Sequence, residues 1–565
     1  MREPKRTGRV KRLGTGLTAA LLTVSAPLDA ASPVYGRRAM VVAQEPLATD
    51  AGVEVLRSGG NAVDAAVAVA FVLAVTYPVA GNLGGGGFLL VRLAGGEAAF
   101  LDFREQAPAA AARGMYLNDP GESTEGSRVG WRAAGVPGTV KGLEHAHRKF
   151  GSKPWAELVS PAIRLAREGF RVSWALAGSL RSDRLLSKFD ESRRIFLNGG
   201  RGYEPGDILR QPELADTLER IARSGAADFY EGETARRLAA SMTAHGGLIT
   251  RNDLAAYRVH ERAPLRGRYR EYEILTAPPP SSGGVGLLQM LAMLEGSGYE
   301  KQGPGAAAAI HYVAEVMRRF YADRSEHLAD PDFHRVPLAG LLAPEYIAAR
   351  RGSINPERAT PSAEIGPGLL SGEESAETTH LSVVDPHGNA ASLTYTINGG
   401  YGSGVTVPGL GFLLNNEMED FAARPGSPNM FGLVQGEANR IEPGKRPLSS
   451  MTPTVVLREN RPYLVLGAPG GPRIINGVLQ VILNVVDFRM GIQDAVNRPR
   501  FHHQWQPDRL YLEDGFSPDT AELLRRRGHA VESTGEVAFV EAILAEGDSL
   551  QGATDPRGHG KAAGW

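Results

Sequence analysis

The sequence predicts an α+β fold, and three observations carry that expectation. Apolar residues recur at helical spacing through much of residues 56–351, and short apolar or alternating runs interrupt them. A pair of alternating runs wrapped around five turn residues then follows a Pro- and Ser-containing segment at 352–377. With 42% hydrophobic and 22% charged residues, the composition is that of a soluble globular chain. At roughly 150 residues per domain, a chain of this length predicts three or four units.

The 62 basic and 63 acidic side chains nearly cancel, so no field strong enough to steer nucleic acid or an anionic membrane surface is expected. Cysteine is absent, which removes disulfides, thiolate nucleophiles and most structural zinc sites. His145 and His147 do not suggest a metal pair, because positions i and i+2 of a helix face different ways. No metal and no organic cofactor is expected.

Taken in chain order, Arg2, Lys5, Arg6, Arg9, Lys11 and Arg12 precede an apolar run over 13–28 that ends in small residues. That is the pattern of a signal peptide, here expected to occupy 1–30 and to direct a periplasmic or secreted protein. The run is short for a membrane span of about 20 residues, so no stable span is expected after its removal. A second apolar run over 65–80 follows GGNAVDAA and predicts a buried core helix. The cluster Gly84–Gly87 lacks the Lys and Ser or Thr of a phosphate loop and predicts tight packing beside a strand over 88–93. Helices are expected at 136–150, 155–167 and 306–321, and a strand at 272–276.

Residues 352–377, with Pro356, Pro361 and Pro367 and few large apolar side chains, predict an exposed linker. Strands are expected at 379–384 and 390–397 around the turn Asp385–Asn389. Arg525, Arg526 and Arg527 before Gly528 predict a solvated helix end, where cations suit the dipole.

The chemistry centres on Thr378. A five-residue turn centred on His387 places residues symmetric about it opposite one another, so Thr378 faces Thr396. Opposed threonines are common in strands for propensity alone. The linker adds the telling feature, because it exposes the Glu377–Thr378 bond to internal cleavage. Cleavage there gives Thr378 a hydroxyl and a free α-amine, and an amine with a reference pKa of about 7.7–8.0 is a suitable base for that hydroxyl.

The run TTHLSVVDPHGNAASLTYTINGGYGSGVTVPGLGFLLNNEMEDF at 378–421 closely resembles the γ-glutamyltransferases. The resemblance extends through MVVAQEPLATDAG, GGNAVDAA, LDFREQAP, APPPSSGG, YADRSEHLADPDF, KRPLSSMTPT, GAPGGPRI and PRFHHQW, nearly everything after the expected signal. It implies a four-layer αββα N-terminal-nucleophile hydrolase sandwich built from two fragments of one self-cleaved precursor, 31–377 and 378–565, which remain together as a heterodimer.

The resemblance also implies roles. Thr378 is the nucleophile, Thr396 its assisting hydroxyl, and Gly470 and Gly471 the oxyanion-hole donors. Arg104, Ser449 and Ser450 would hold the substrate α-carboxylate, while Asn398, Glu417 and Asp420 would hold its α-amino group. Two residues beyond Thr396, Asn398 is expected on the same strand face. Residues 425–432 resemble a lid, with Phe431 where relatives carry tyrosine. The implied reaction transfers the γ-glutamyl group of glutathione and related amides to water or to amino acid and peptide acceptors.

Three rivals stand beside this reading. A glutaryl or cephalosporin acylase of the same superfamily would leave Glu417 and Asp420 facing an apolar chain. A periplasmic amino-acid-binding homologue would not need Thr378, Thr396 and the glycine pair. A conventional serine hydrolase would need a G-x-S-x-G elbow, which the sequence lacks.

Overall fold

The computed structural model describes residues 32–118, 121–366 and 378–565. The expected signal peptide and the stretch 367–377, which includes Glu377, lie outside the described residues. Pro33–Trp565 forms one compact unit, as a sandwich shared by the two expected fragments requires and unlike the three or four units that length alone suggests. The reason is the connectivity, which threads distant strands into shared sheets.

Two seven-stranded sheets form the centre. One runs Lys561–Gly564, Met40–Ala43, Thr379–Val384, Ala390–Thr396, Gly86–Arg92, Ala98–Phe103 and His260–Arg262. The other runs Val34–Gly36, Ser549–Ala553, Glu541–Glu546, Arg461–Gly467, Thr454–Arg458, Tyr272–Thr276 and Leu265–Tyr269. Every pairing within them is antiparallel.

Strand periodicity sorts side chains between two cores. Met40, Val42, Phe88 and Leu90 enter the core shared with Leu464, Leu466 and the helices Gly283–Leu294, Ala307–His327 and Arg473–Val486. Val41, Leu89, Val91, Leu381 and Leu393 point the other way, into the core built on the helix Ala62–Thr76. Helices therefore cover the outer face of each sheet, giving the αββα order.

Ala62–Thr76 is buried along its whole length, as its all-round apolar sequence requires. Asn61 caps it through bonds from the Val63 and Asp64 amides at 2.9 and 3.0 Å, and Asp64 returns a bond to the Asn61 amide at 2.9 Å. Among the described residues no helix is long and apolar enough to cross a membrane. The helices expected at 136–150, 155–167 and 306–321 appear as Thr139–Phe150, Trp155–Glu168 and Ala307–His327, and the strand expected at 272–276 as Tyr272–Thr276. Arg525 and Arg526 close the helix Pro518–Arg526.

The expected linker is corrected in its first half. Ile354, Ala359 and Ile365 are buried, and the segment is held by side chains distant in sequence. Arg319 donates to the Ser353 carbonyl at 2.8 Å, and the Trp505 indole to the Ser362 and Ile365 carbonyls at 3.0 and 2.9 Å. Its prolines suit extended backbone, which can lie on a protein surface as readily as in solvent.

The glycine cluster is tight packing, as expected. A Cβ on Gly85 would stand 2.0 Å from the Thr396 carbonyl oxygen, and one on Gly87 2.4 Å from the Tyr395 Cβ. Gly85→Ala should therefore lower stability by about 1–3 kcal/mol through overpacking. The check is a denaturant midpoint that falls with an unchanged m-value, and an unaltered midpoint would refute the packing account.

Candidate active site

The hairpin register is the one symmetric about His387: Val384 pairs with Ala390, and the ladder runs to Thr379 opposite Tyr395. Thr378 lies one residue before this strand, where extending the same register points it at Thr396, and Thr396 pairs on its other side with Gly86. The turn fixes this register. Asp385 accepts the His387 and Asn389 amides at 2.9 and 3.0 Å, Gly388 takes a φ of 84°, and the second Asp385 oxygen accepts the Ala62 amide at 3.0 Å. The hairpin behind Thr378 is thereby tied to the N-terminus of the core helix.

Thr378 and Thr396 are both buried and line one cavity with Arg104, Asn398, Glu417, Asp420, Ser449, Ser450 and Gly471. Asn398 is corrected in its local structure. The strand ends at Thr396, and Asn398 lies beyond it at a φ of 74°. In that left-handed conformation its amide turns back to donate to Thr396 Oγ1 at 2.8 Å. Its side chain donates to the Asn416 carbonyl at 3.1 Å. An accepted bond at Oγ1 directs the Thr396 hydroxyl proton elsewhere, which suits a donor facing Thr378.

Arg104 is 1% exposed, so it is no surface cation. It follows the strand Ala98–Phe103, next to the edge of its sheet, and its Nη1 and Nη2 each lie 2.5 Å from a carboxylate, those of Glu417 and Asp420. Both acids come from the single 3-10 turn Glu417–Asp420. Burial pulls the Arg104 guanidinium down, but the charges of Glu417, Asp420 and Glu105 outweigh it and hold the group above its ordinary range. Burial also pushes the Glu417 carboxyl well above the carboxylate range, against the charge of Arg104 and with that of Glu105. Glu105, equally buried, is pushed up to about 7 by burial, with Arg104 pulling the other way. Three carboxyls around one guanidinium cannot all ionise cheaply, so burial here favours the neutral acid.

Arg104 Nε and Nη2 also donate to the Pro447 and Leu448 carbonyls at 3.3 and 3.4 Å, which fixes the chain just before Ser449 and Ser450. The Ser449 hydroxyl accepts the Met451 amide at 3.1 Å.

Gly470 and Gly471 have φ values of 137° and 51°, and a Cβ on Gly470 would stand 2.9 Å from the Ala538 backbone. They precede the helix Arg473–Val486, whose N-terminus adds positive potential. Among the described residues neither amide donates a hydrogen bond within the protein. Gly471 lines the cavity, and Gly470 lies beside it in sequence rather than on its wall. In the expected lid, Asn429 accepts the Phe431 and Leu433 amides at 3.0 and 3.2 Å, and Phe431 closes one side of the cavity.

Three residues here were not singled out from the sequence: Glu105, Arg324 and His380. The LDFREQAP and YADRSEHLADPDF motifs contain the first two, but their burial beside the site is tertiary. His380, two residues past Thr378, is buried between the sheets, with Nδ1 2.8 Å from Thr394 Oγ1 and Nε2 3.0 Å from Ser382 Oγ. Burial lowers it to about 3, so it is neutral in the folded protein. The unfolded chain protonates this ring below about 6.5 while the folded protein does not until about 3, so its contribution to stability falls as pH falls through that window. The loss should approach about 1.4 kcal/mol per pH unit for this one ring. Denaturant titrations at pH 7 and pH 5 should show a smaller acid loss for His380→Gln than for the parent, and identical losses would exclude a neutral buried ring.

Comparison with known proteins agrees with this geometry. The chain matches the Gamma-glutamyltranspeptidase family over residues 48–565. It is 47% identical over 533 residues to a glutathione hydrolase proenzyme of Escherichia coli (strain K12), covering 94% of this chain and 92% of that protein. A solved cephalosporin acylase from Bacillus halodurans superposes with a TM-score of 0.84 at 28% identity, covering 100% of this chain and 99% of that one. A solved gamma-glutamyltranspeptidase chain of Helicobacter pylori gives 0.56 at 44% identity, covering 57% of this chain and 94% of that one. Sequence and overall fold therefore agree, and the chain belongs to the γ-glutamyltranspeptidase family of N-terminal-nucleophile hydrolases.

Proposed function

We propose that this chain opens its own Glu377–Thr378 bond and then transfers γ-glutamyl groups through the freed Thr378. The observation that carries the reading is the convergence on one cavity of Thr378, Thr396, Gly471 and a buried charge cluster suited to an amino-acid head group.

In processing, Thr378 Oγ attacks the Glu377 carbonyl carbon, the C–N bond breaks, and the hydroxyl proton passes to the leaving nitrogen. Water then hydrolyses the resulting ester, leaving the Glu377 carboxylate and a free Thr378 amine. In catalysis that amine takes the hydroxyl proton as Oγ attacks the γ-carbonyl carbon of a γ-glutamyl amide such as glutathione. The oxyanion forms beside the Gly470 and Gly471 amides, where one donor is worth about 2.7–4 kcal/mol of transition-state stabilisation. Collapse breaks the amide bond, the leaving amine takes the proton back from Thr378, and a γ-glutamyl ester remains. Water, or the amine of an amino acid or peptide, attacks that ester and restores the hydroxyl. The fragments 31–377 and 378–565 stay together, and export through the 1–30 signal places the enzyme in the periplasm or outside the cell.

A zwitterionic head group explains the charge cluster. Its carboxylate meets Arg104, Ser449 and Ser450, and its ammonium meets Glu417, Asp420 and Asn398, exchanging one buried pairing for two complementary ones. A glutaryl chain has no ammonium and would leave the acids uncompensated, which favours the γ-glutamyl reading over an acylase.

On a denaturing gel the purified protein should run as two fragments and Thr378→Ala as one, and an intact parent chain would sink the reading. Asp420→Asn should lower kcat/KM for a γ-glutamyl anilide by roughly 10–100-fold, the loss of one bond to a charged group. The same variant should change a glutaryl anilide far less. A parent enzyme that prefers the glutaryl compound would overturn the substrate assignment.

A further inference from the structure

The cavity that holds Thr378 is lined by two arginines, and the family motifs account for one. Arg324 comes from the last turn of the helix Ala307–His327 and is 2% exposed. Its Nε donates to Ser282 Oγ at 2.9 Å and its Nη2 to Ser450 Oγ at 3.3 Å. Among the described residues its Nη1 has no hydrogen-bond partner, and no carboxylate pairs with it.

Arg104 offers the contrast. Both of its terminal nitrogens already lie against carboxylates, and its Nε against a backbone carbonyl. An unused buried donor is destabilising, so one kept on a cavity wall calls for a ligand to fill it. Arg324 keeps one unused, and it does so on the wall of the catalytic cavity.

The two serines it holds extend the point. Ser282 accepts from Arg324 and donates to the Ser449 carbonyl at 2.7 Å, so Arg324 braces the backbone of one expected carboxylate ligand. Ser450 accepts from Arg324, and a hydroxyl that accepts there must aim its own proton elsewhere. Among the described residues that proton has no acceptor, and Ser450 lines the same cavity.

We propose that Arg324 is the second cation of the carboxylate subsite, a specificity-determining residue that turns the Ser450 hydroxyl toward the ligand and presents its unused Nη1 to the same carboxylate. Burial pulls its guanidinium down to about 10, with Tyr321 and Asp420 opposing the shift, so it is still a cation at neutral pH. An α-carboxylate then lies between two buried cations, and the pairing of Arg104 with Glu417 and Asp420 need not be given up entirely when substrate enters. The inference rests on the γ-glutamyl reading and names the residue that selects for the carboxylate half of that head group.

The test compares two anilides on the full-length, self-processed enzyme: γ-glutamyl anilide, and 4-aminobutyryl anilide, which keeps the amine and lacks the carboxylate. Arg324→Gln should raise KM and lower kcat/KM for the γ-glutamyl compound by about 10–100-fold, as expected for a lost bond to a charged group. Arg324→Lys should show a smaller loss, because it keeps the charge without the fork. The 4-aminobutyryl compound should be nearly unaffected in both. Equal losses for the two anilides, or no loss for either, would overturn the proposal. If Arg324→Gln fails to self-process on a denaturing gel, the anilide ratio measured on Arg324→Lys decides alone. A parent enzyme that neither self-cleaves nor accepts the γ-glutamyl anilide would instead sink the functional reading.

Discussion

The site depends on a charge cluster that the fold has removed from water. Arg104, Glu105 and Glu417 are each at most 1% exposed, and moving such ions out of water costs several kcal/mol apiece unless partners surround them. The cluster meets that cost with two contacts of 2.5 Å and with backbone carbonyls around Arg104, while burial pushes the Glu105 and Glu417 carboxyls upward. Such a cluster is specific rather than strongly stabilising, since removing one member leaves an uncompensated buried charge. A ligand that brings both a carboxylate and an ammonium is the kind of partner it can admit without that penalty.

The hairpin supplies the second constraint. Its turn is fixed by Asp385, which binds the loop amides and the first amide of the helix Ala62–Thr76 together. A register slip of one residue would turn Thr378 and Thr396 to opposite faces and send Leu381 and Val383 into the wrong core. The packing of the whole sheet therefore enforces the alignment of the two threonines.

These features were unequally legible in the sequence. The hairpin register was, because five turn residues between two alternating runs leave one symmetric pairing. The core helix was too, because a run apolar on every side has no solvent face. The segment after Gly352 was not: Pro356, Pro361 and Ser362 have the composition of a solvated linker, and the Trp505 indole and Arg319 that hold it lie far along the chain. Asn398 was placed on a strand by counting in twos, which fails where the backbone turns to positive φ. Arg324 and Glu105 lay in recognised motifs, yet a motif does not reveal which of its charges lacks a partner. That is a property of the packed site.

The same interleaving bears on why a self-cleaved chain can remain one molecule. In the sheet that follows Thr378, Met40–Ala43 lies between Lys561–Gly564 and Thr379–Val384, and Gly86–Arg92 pairs with Ala390–Thr396. In the facing sheet, Val34–Gly36 pairs with Ser549–Ala553, and Tyr272–Thr276 with Thr454–Arg458. Opening the bond before Thr378 removes one covalent link and none of these pairings. Separation of the fragments would have to break ladders in both sheets and expose both cores, so an amine freed at Thr378 would be held in place by the strands behind it.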